Sequence, residues 1–125
     1  MTLLLDTHAL LWWLSDDPTL SEAARTVIAA PDAVVTVSAA SAWEISIKSS
    51  LGKLEVPDDL EDQLARHRFK PLPITVSHAL AAGSLPRHHD DPFDRMLVAQ
   101  ARLEGLTLVT RDSRIALYGV PVVAA

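Results

Sequence analysis

Four carboxylates stand where the chain passes into helices, three of them beside apolar, strand-like runs. Asp6 ends the run Leu3-Leu4-Leu5. Glu44 lies in Ser41-Ala42-Trp43-Glu44 and Asp94 in Asp91-Pro92-Phe93-Asp94, each opening a helical pattern. Asp112 follows Leu108-Val109-Thr110-Arg111. In an α/β fold the carboxyl ends of the strands and the N-termini of the helices share one edge, and ligands bind there. Carboxylates converging on that edge repel one another unless a cation neutralises them. Such a cluster suggests a divalent-metal site, and its chemistry is the cutting of a phosphodiester.

Each acid also has a purely local explanation. Asp6 can cap the following helix. Ser41 and Glu44 have capping-box spacing, in which Glu44 bonds back to the Ser41 N–H. Asp91 is an N-cap candidate, and Asp94 lies in a first turn, where the helix dipole favours negative charge. Asp112 can form an Asx-turn. The repetition is what favours a cluster, because Ser, Thr or Asn would cap as well. Capping and metal ligation compete for one side chain, so Asp91 is assigned to the cap and Asp94 to the cleft.

The elements that must position these acids alternate between strand and helix. Thr2–Leu5 reads as a buried strand, followed by a helix over His8–Leu14 that is apolar nearly all round and so buried by the core or a partner. A helix over Ser21–Ala30, capped by Ser21, precedes a strand over Ala33–Val37. Ser38 or Ser41 caps a helix to about Ser50, closed by Gly52, with Trp43, Ile47 and Leu51 marking its buried face. A helix over Asp58–His67 has Asp58 and Asp59 at its positive end. Lys70–Ile74 reads as a short strand and Ser77–Ala82 as a helix ended by Gly83. After the polar loop Arg87–Asp91, Pro92 starts a helix that runs to Glu104. Leu106–Thr110 is a strand, Ile115–Leu117 a helical piece, and Val120–Val123 an edge strand, because Pro121 lacks a ladder donor. The pattern predicts an α/β fold: a three-layer sandwich with a central parallel β-sheet flanked by helices, in one domain spanning 1–125.

The bulk numbers agree. A chain of 125 residues with 49% hydrophobic content supports one core. The absence of cysteine excludes disulfides, thiolate zinc sites and Cys nucleophiles. The N-terminal run lacks a basic flank and is interrupted by Asp6 and His8, so no signal peptide or membrane span is expected and the protein reads as cytoplasmic. A net charge of −5 argues against strong non-specific nucleic-acid binding, though not against a nuclease.

Leu4-Leu5-Asp6-Thr7-His8, Ser41-Ala42-Trp43-Glu44-Ile45, Asp91-Pro92-Phe93-Asp94-Arg95 with Ala99-Gln100-Ala101, and Val109-Thr110-Arg111-Asp112 together resemble the PIN domain. Within it they look most like VapC-type toxins of bacterial toxin–antitoxin modules. The resemblance runs from Leu4 to about Val122 and rests on the order and spacing of the motifs. It implies a PIN-like sandwich and a metal-dependent ribonuclease, with Asp6, Glu44, Asp94 and Asp112 forming a quartet that binds Mg²⁺ or Mn²⁺. It implies hydrolysis of RNA by water, leaving 5′-phosphate and 3′-hydroxyl ends. It also implies a homodimer and a small VapB-like antitoxin, with no membrane partner.

Other residues stay open. Thr110 can orient a ligand or water, or serve only as a strand residue. Arg95, Arg111 and Arg114 can contact RNA phosphates or act as counter-ions to the acids, and the two readings stand level. His88-His89 reads as a solvated loop and His8 as a packed residue. Trp12 and Trp13 leave a helix about 100° apart, so one of them is a candidate for an interface. The competing function is a PIN-like module that binds RNA or protein without cleaving, which a missing acid would favour. A receiver domain needs paired acids after the first strand, and a phosphatase needs a second Asp where this chain has His8.

Overall fold

The computed structural model describes residues 1–54 and 59–125. Five strands, β1 (Thr2–Leu5), β2 (Val34–Ser38), β3 (Lys70–Leu72), β4 (Thr107–Thr110) and β5 (Val122–Ala124), form one sheet. Its order is β3-β2-β1-β4-β5, and every pairing is parallel. The connections are α1 (Thr7–Leu14) and α2 (Glu22–Ala29), then α3 (Ala39–Ser50) and α4 (Leu60–Arg66), then α5 (Val76–Ser84) and α6 (Pro92–Glu104), and finally α7 (Ser113–Ala116). The predicted three-layer α/β sandwich is the observed one.

The all-leucine first strand follows from burial on both faces. Parallel strands covered by helices lose the apolar–polar alternation of a half-exposed strand. Leu3 and Leu5 face a cluster with Ala9 and Leu10 of α1, and Ala24 and Ile28 of α2. Leu4 points the other way, into Leu97, Val98 and Ala101 of α6 and Ile115 of α7. All three are fully buried, and each contributes roughly 1.5–3 kcal/mol of hydrophobic stabilisation.

The register places the functional edge. Leu5 pairs with Val37 on one side and Val109 on the other. The chain leaves β1 toward β2 but returns on its far side as β4, making a switch point between β1 and β4. The Asp6 N–H donates to the Val109 carbonyl at 3.0 Å, so the ladder extends one residue beyond β1. Asp6 and the segment after β4 are thereby fixed side by side.

Several local expectations need correction. α3 is capped by Ser38, whose Oγ accepts from the Ala40 N–H at 2.9 Å. Glu44 therefore sits well inside the helix, and the Ser41–Glu44 capping box does not form. The buried face of α3 is Ala40, Ser41, Glu44 and Ile45; Trp43 and Leu51 are each 61% exposed. Trp43 instead meets Phe93 edge-on at 5.3 Å. α5 continues through Gly83 to Ser84, and α1 leaves Leu11–Leu14 only half-buried and His8 exposed. α4 begins at Leu60; Asp58 lies outside the described residues. No helix among the described residues is long and apolar enough to cross a membrane.

Candidate active site

The switch-point edge carries a cleft of about 250 Å³ lined by Asp6, Glu44, Asp94 and Asp112. Four elements deliver them: the end of β1, the middle of α3, the first turn of α6 and the turn after β4. Lys48, His89, Arg111 and Arg114 share the same walls. Larger hollows beside α1 and between α5 and α6, of about 370 and 430 Å³, contain none of the four acids.

Asp6 combines a helix cap with a place on the cleft wall. It is the N-cap of α1, with Oδ1 accepting from the Ala9 N–H at 2.8 Å, and it lies on the cleft wall at 7% exposure. Burial raises its pKa above the ordinary carboxylate value. The hydrogen bond from Thr110 and the cap N–H of Ala9 act in the opposite direction. Asp112 likewise caps α7, with Oδ1 accepting from the Arg114 N–H at 2.9 Å. Asp91 is the cap of α6, accepting from Phe93 at 2.8 Å and Asp94 at 3.2 Å, which leaves Asp94 free to face the cleft as the sequence suggested.

Glu44 is held at both oxygens. Thr7 Oγ1 donates to Oε1 at 2.5 Å, and Lys48 Nζ, one turn along α3, lies 2.8 Å from Oε2. The hydrogen bond to Glu44 raises the Lys48 pKa, with smaller contributions from Asp91 and Asp94. Neither Lys48 nor Thr7 was among the candidate site residues. The Glu44-to-Lys48 spacing, four residues on one helix face, was the available signal.

Asp94 shows the electrostatic cost of the cluster. Burial first, then the charges of Asp91, Asp6 and Glu44, push its pKa up to about 7, against the attraction of His89. Asp112 is the reverse case. The Arg114 guanidinium, 3.1 Å from Oδ1 and 3.0 Å from Oδ2, holds it down to about 2, helped by the Arg114 backbone and His89. A buried acid resisting ionisation beside other acids is what a site lacking only positive charge looks like. The donors are hard carboxylate oxygens, the type that Mg²⁺ and Mn²⁺ prefer. The donor chemistry of Asp6, Glu44, Asp94 and Asp112 thus suits a divalent cation, and among the described residues the group of three whose ligand atoms lie within 4.8 Å of one another is Asp94, Asp112 and His89.

The three arginines separate. Arg114 is the counter-ion of Asp112. Arg111 lines the cleft but bonds the Thr19 carbonyl and, at 2.8 Å, the Ala125 carbonyl, with its guanidinium 4.6 Å over the Trp12 ring. Arg95 is not on the cleft wall. Its guanidinium donates to the carbonyls of Ala82, Leu85, Pro86 and His89 at 2.9–3.3 Å, stapling the loop before α6. Thr110 is 1% exposed and joins two acids: its Oγ1 accepts from the Asp112 N–H at 3.1 Å, and its side chain hydrogen-bonds Asp6.

Two histidine readings change. His88 and His89 do point apart, but only His88 is exposed; His89 is 5% exposed and reaches the acids. His8 stands exposed at the cleft mouth, its ring tilted 38° to that of Trp12 with centroids 5.8 Å apart. Trp12 forms a cleft wall, while Trp13 packs on Phe69 and bonds His67 Nδ1 at 3.3 Å.

Known proteins share both sequence and fold with this chain. It is 33% identical over 124 residues to Ribonuclease VapC22 of Mycobacterium tuberculosis, covering 96% of this chain and 94% of that protein. The fold matches VapBC2 from Rickettsia felis, solved with a DNA fragment from its promoter (TM-score 0.72, 14% identity, 98% of each chain). It also matches FitAcB from Neisseria gonorrhoeae, with a TM-score of 0.65, 19% identity and coverage of 98% of this chain and 96% of that one. The PIN domain family matches residues 3–120, and with the four-acid cleft at the β1/β4 switch point the conclusion is that this chain belongs to it.

Proposed function

We propose that this protein is a ribonuclease that needs Mg²⁺ or Mn²⁺, and that it is the toxin of a VapBC-like pair. The observation that carries the reading is the intact quartet of Asp6, Glu44, Asp94 and Asp112 around one cleft. The similarity to Ribonuclease VapC22 over nearly all of both chains supports the substrate class.

A divalent cation in this site would supply Lewis-acid charge to a phosphoryl oxygen and lower the pKa of water. Asp6 and Asp94 are the acids best placed to ligate it. Both line the cleft, and burial makes their charge costly without a cation. Thr7 and Lys48 fix the rotamer of Glu44, and Arg114 fixes that of Asp112, so these two acids keep their geometry before substrate arrives. Lys48, Arg111 and Arg114 put positive charge on the rim of an acidic protein, where an RNA backbone would have to approach. Arg95, which does not line the cleft, is not included with them.

A VapB-like antitoxin and a second copy of this chain are the proposed partners. The matched structures include toxin–antitoxin complexes, and Val76 and Leu80 of α5 and Leu103 of α6 expose apolar surface at 77%, 69% and 53%.

The test is cleavage of total RNA by partner-free protein, with Mg²⁺, with Mn²⁺ and with chelator, beside Asp94→Asn. Cleavage is expected only with metal and only in the wild type, with 5′-phosphate and 3′-hydroxyl ends. Products ending in 2′,3′-cyclic phosphate would overturn the water-attack mechanism. Wild-type cutting by Asp94→Asn would overturn the site assignment.

A further inference from the structure

His89 lies outside the acidic quartet, yet it is the group that joins two of its members. Its ring is 5% exposed. Nδ1 accepts the backbone N–H of Asp91 at 3.1 Å. A ring nitrogen that accepts carries a lone pair, so the proton of the imidazole resides on Nε2. Nε2 lies 3.0 Å from Asp94 Oδ2 and 2.8 Å from Asp112 Oδ2. One N–H therefore faces two carboxylate oxygens, delivered by different elements, α6 and the β4–α7 turn.

The frame around the ring is fixed independently of that bridge. The His89 backbone N–H donates to Tyr118 Oη at 2.9 Å, and Tyr118 Oη donates to the Pro86 carbonyl at 2.8 Å. Arg95 holds the His89 carbonyl at 3.3 Å, with those of Leu85 and Pro86 in the same loop and of Ala82 at the end of α5. Ring position is thus set by Tyr118 and Arg95, and ring protonation by Asp91.

We propose that His89 is a positioning residue for the cation site. Its Nε2–H spaces the Oδ2 atoms of Asp94 and Asp112, so that Asp94 Oδ1 is left for the cleft while Asp112 Oδ1 stays on the α7 cap and Arg114. His, Asp and Asp side chains that come this close, with ligand atoms within 4.8 Å of one another, also suggest a nitrogen ligand to a metal. The hydrogen bond to Nδ1 decides between the two roles: with Nδ1 accepting, Nε2 has no lone pair to give. Groups that orient metal ligands in this way typically change metal affinity by about 10–100-fold when removed. The proposal rests on the reading that the quartet holds a divalent cation.

The experiment is Mn²⁺ binding to the full chain without RNA, followed by the loss of the free-ion spin-resonance signal. His89→Gln keeps an N–H donor near the Nε2 position, whereas His89→Asn moves it back to the Nδ1 position and His89→Leu removes it. Expected are affinity within about threefold of wild type for Gln, and losses of about 10-fold or more for Asn and Leu. ¹⁵N spectra of the wild-type ring should show the Nε2–H tautomer both with and without Mg²⁺. Equal affinities for Gln and Asn would overturn the proposal even if the Leu variant fails to fold. So would a ¹⁴N hyperfine coupling from His89 to bound Mn²⁺, since the ring would then be a ligand. If wild type itself binds no Mn²⁺, the cation reading falls and this role with it; a loss confined to the variants concerns His89 alone.

Discussion

Asp94→Asn should make the metal-free protein more stable while abolishing its activity. A carboxyl with a folded-state pKa of about 7 against an ordinary 3.8 resists its own ionisation by roughly 4 kcal/mol, at about 1.4 kcal/mol per pH unit. The side chain keeps 24% of its exposure, so water at the cleft mouth screens part of this, and about 2 kcal/mol is the expected gain at pH 8. The sign follows from the raised pKa. The folded state holds this proton more tightly than the unfolded chain, so the wild type is most stable, with respect to this group, below pH 3.8. That stability is lost as pH rises through 7. Asparagine has no proton to lose, so its advantage is greatest at pH 8 and nearly gone at pH 4. Its amide oxygen can still accept from His89, so the bridge to Asp112 survives the change. The assay is urea denaturation of both proteins in chelator at pH 8 and pH 4. A variant no more stable than wild type at pH 8, or one equally stabilised at both pH values, would refute the reasoning. Added Mg²⁺ should reverse the order at pH 8, because only the wild type gains the full binding free energy.

Three further outcomes are expected. Mn²⁺ affinity, measured by calorimetry, should fall by about tenfold per pH unit below 7, because Asp94 must then release a proton to bind; a flat profile from pH 7 to 6 would remove Asp94 from the ligands. Thr7→Val should lower kcat by about tenfold with unchanged circular dichroism, since Glu44 loses the bond that orients it; an unaltered kcat would make Thr7 structural only. Arg95→Met should cost about 1–3 kcal/mol in urea denaturation, because four carbonyls lose a charged donor; unchanged stability would show that the loop before α6 needs no staple.

The acids were legible in the sequence because their positions are set by chain direction. Asp6 and Asp112 follow parallel strands, and a parallel sheet sends every strand end to one edge. The strands and most helix limits were legible for the related reason that burial and caps act locally. α3 was misread because periodicity detects apolar stripes, and its core face is Ala40, Ser41, Glu44 and Ile45. The stripe Trp43–Ile47–Leu51 belongs largely to the surface. His89 carried no local signal at all. Its role depends on Asp112, 23 residues away and on another element. Arg95 leaves the helix about 100° from its neighbour Asp94, and so reaches the carbonyls before α6 rather than the cleft.

The long-range pairing of β1 has a consequence in time. Asp6 is synthesised long before its N–H partner, Val109. β1 can pair with β2 early, yet the wall formed by Thr110 and Asp112 does not exist until β4 has docked. A chain still being translated therefore holds two of its four acids close, Asp6 and Glu44, with no cleft between them and the others. The destructive activity proposed for this protein would be withheld from the ribosome making it until β4 has been made and has docked. Stalled nascent chains that end before Thr107 should leave the RNA around them uncut, whereas the same chain continued through a linker long enough to carry Asp112 clear of the exit tunnel should cut it.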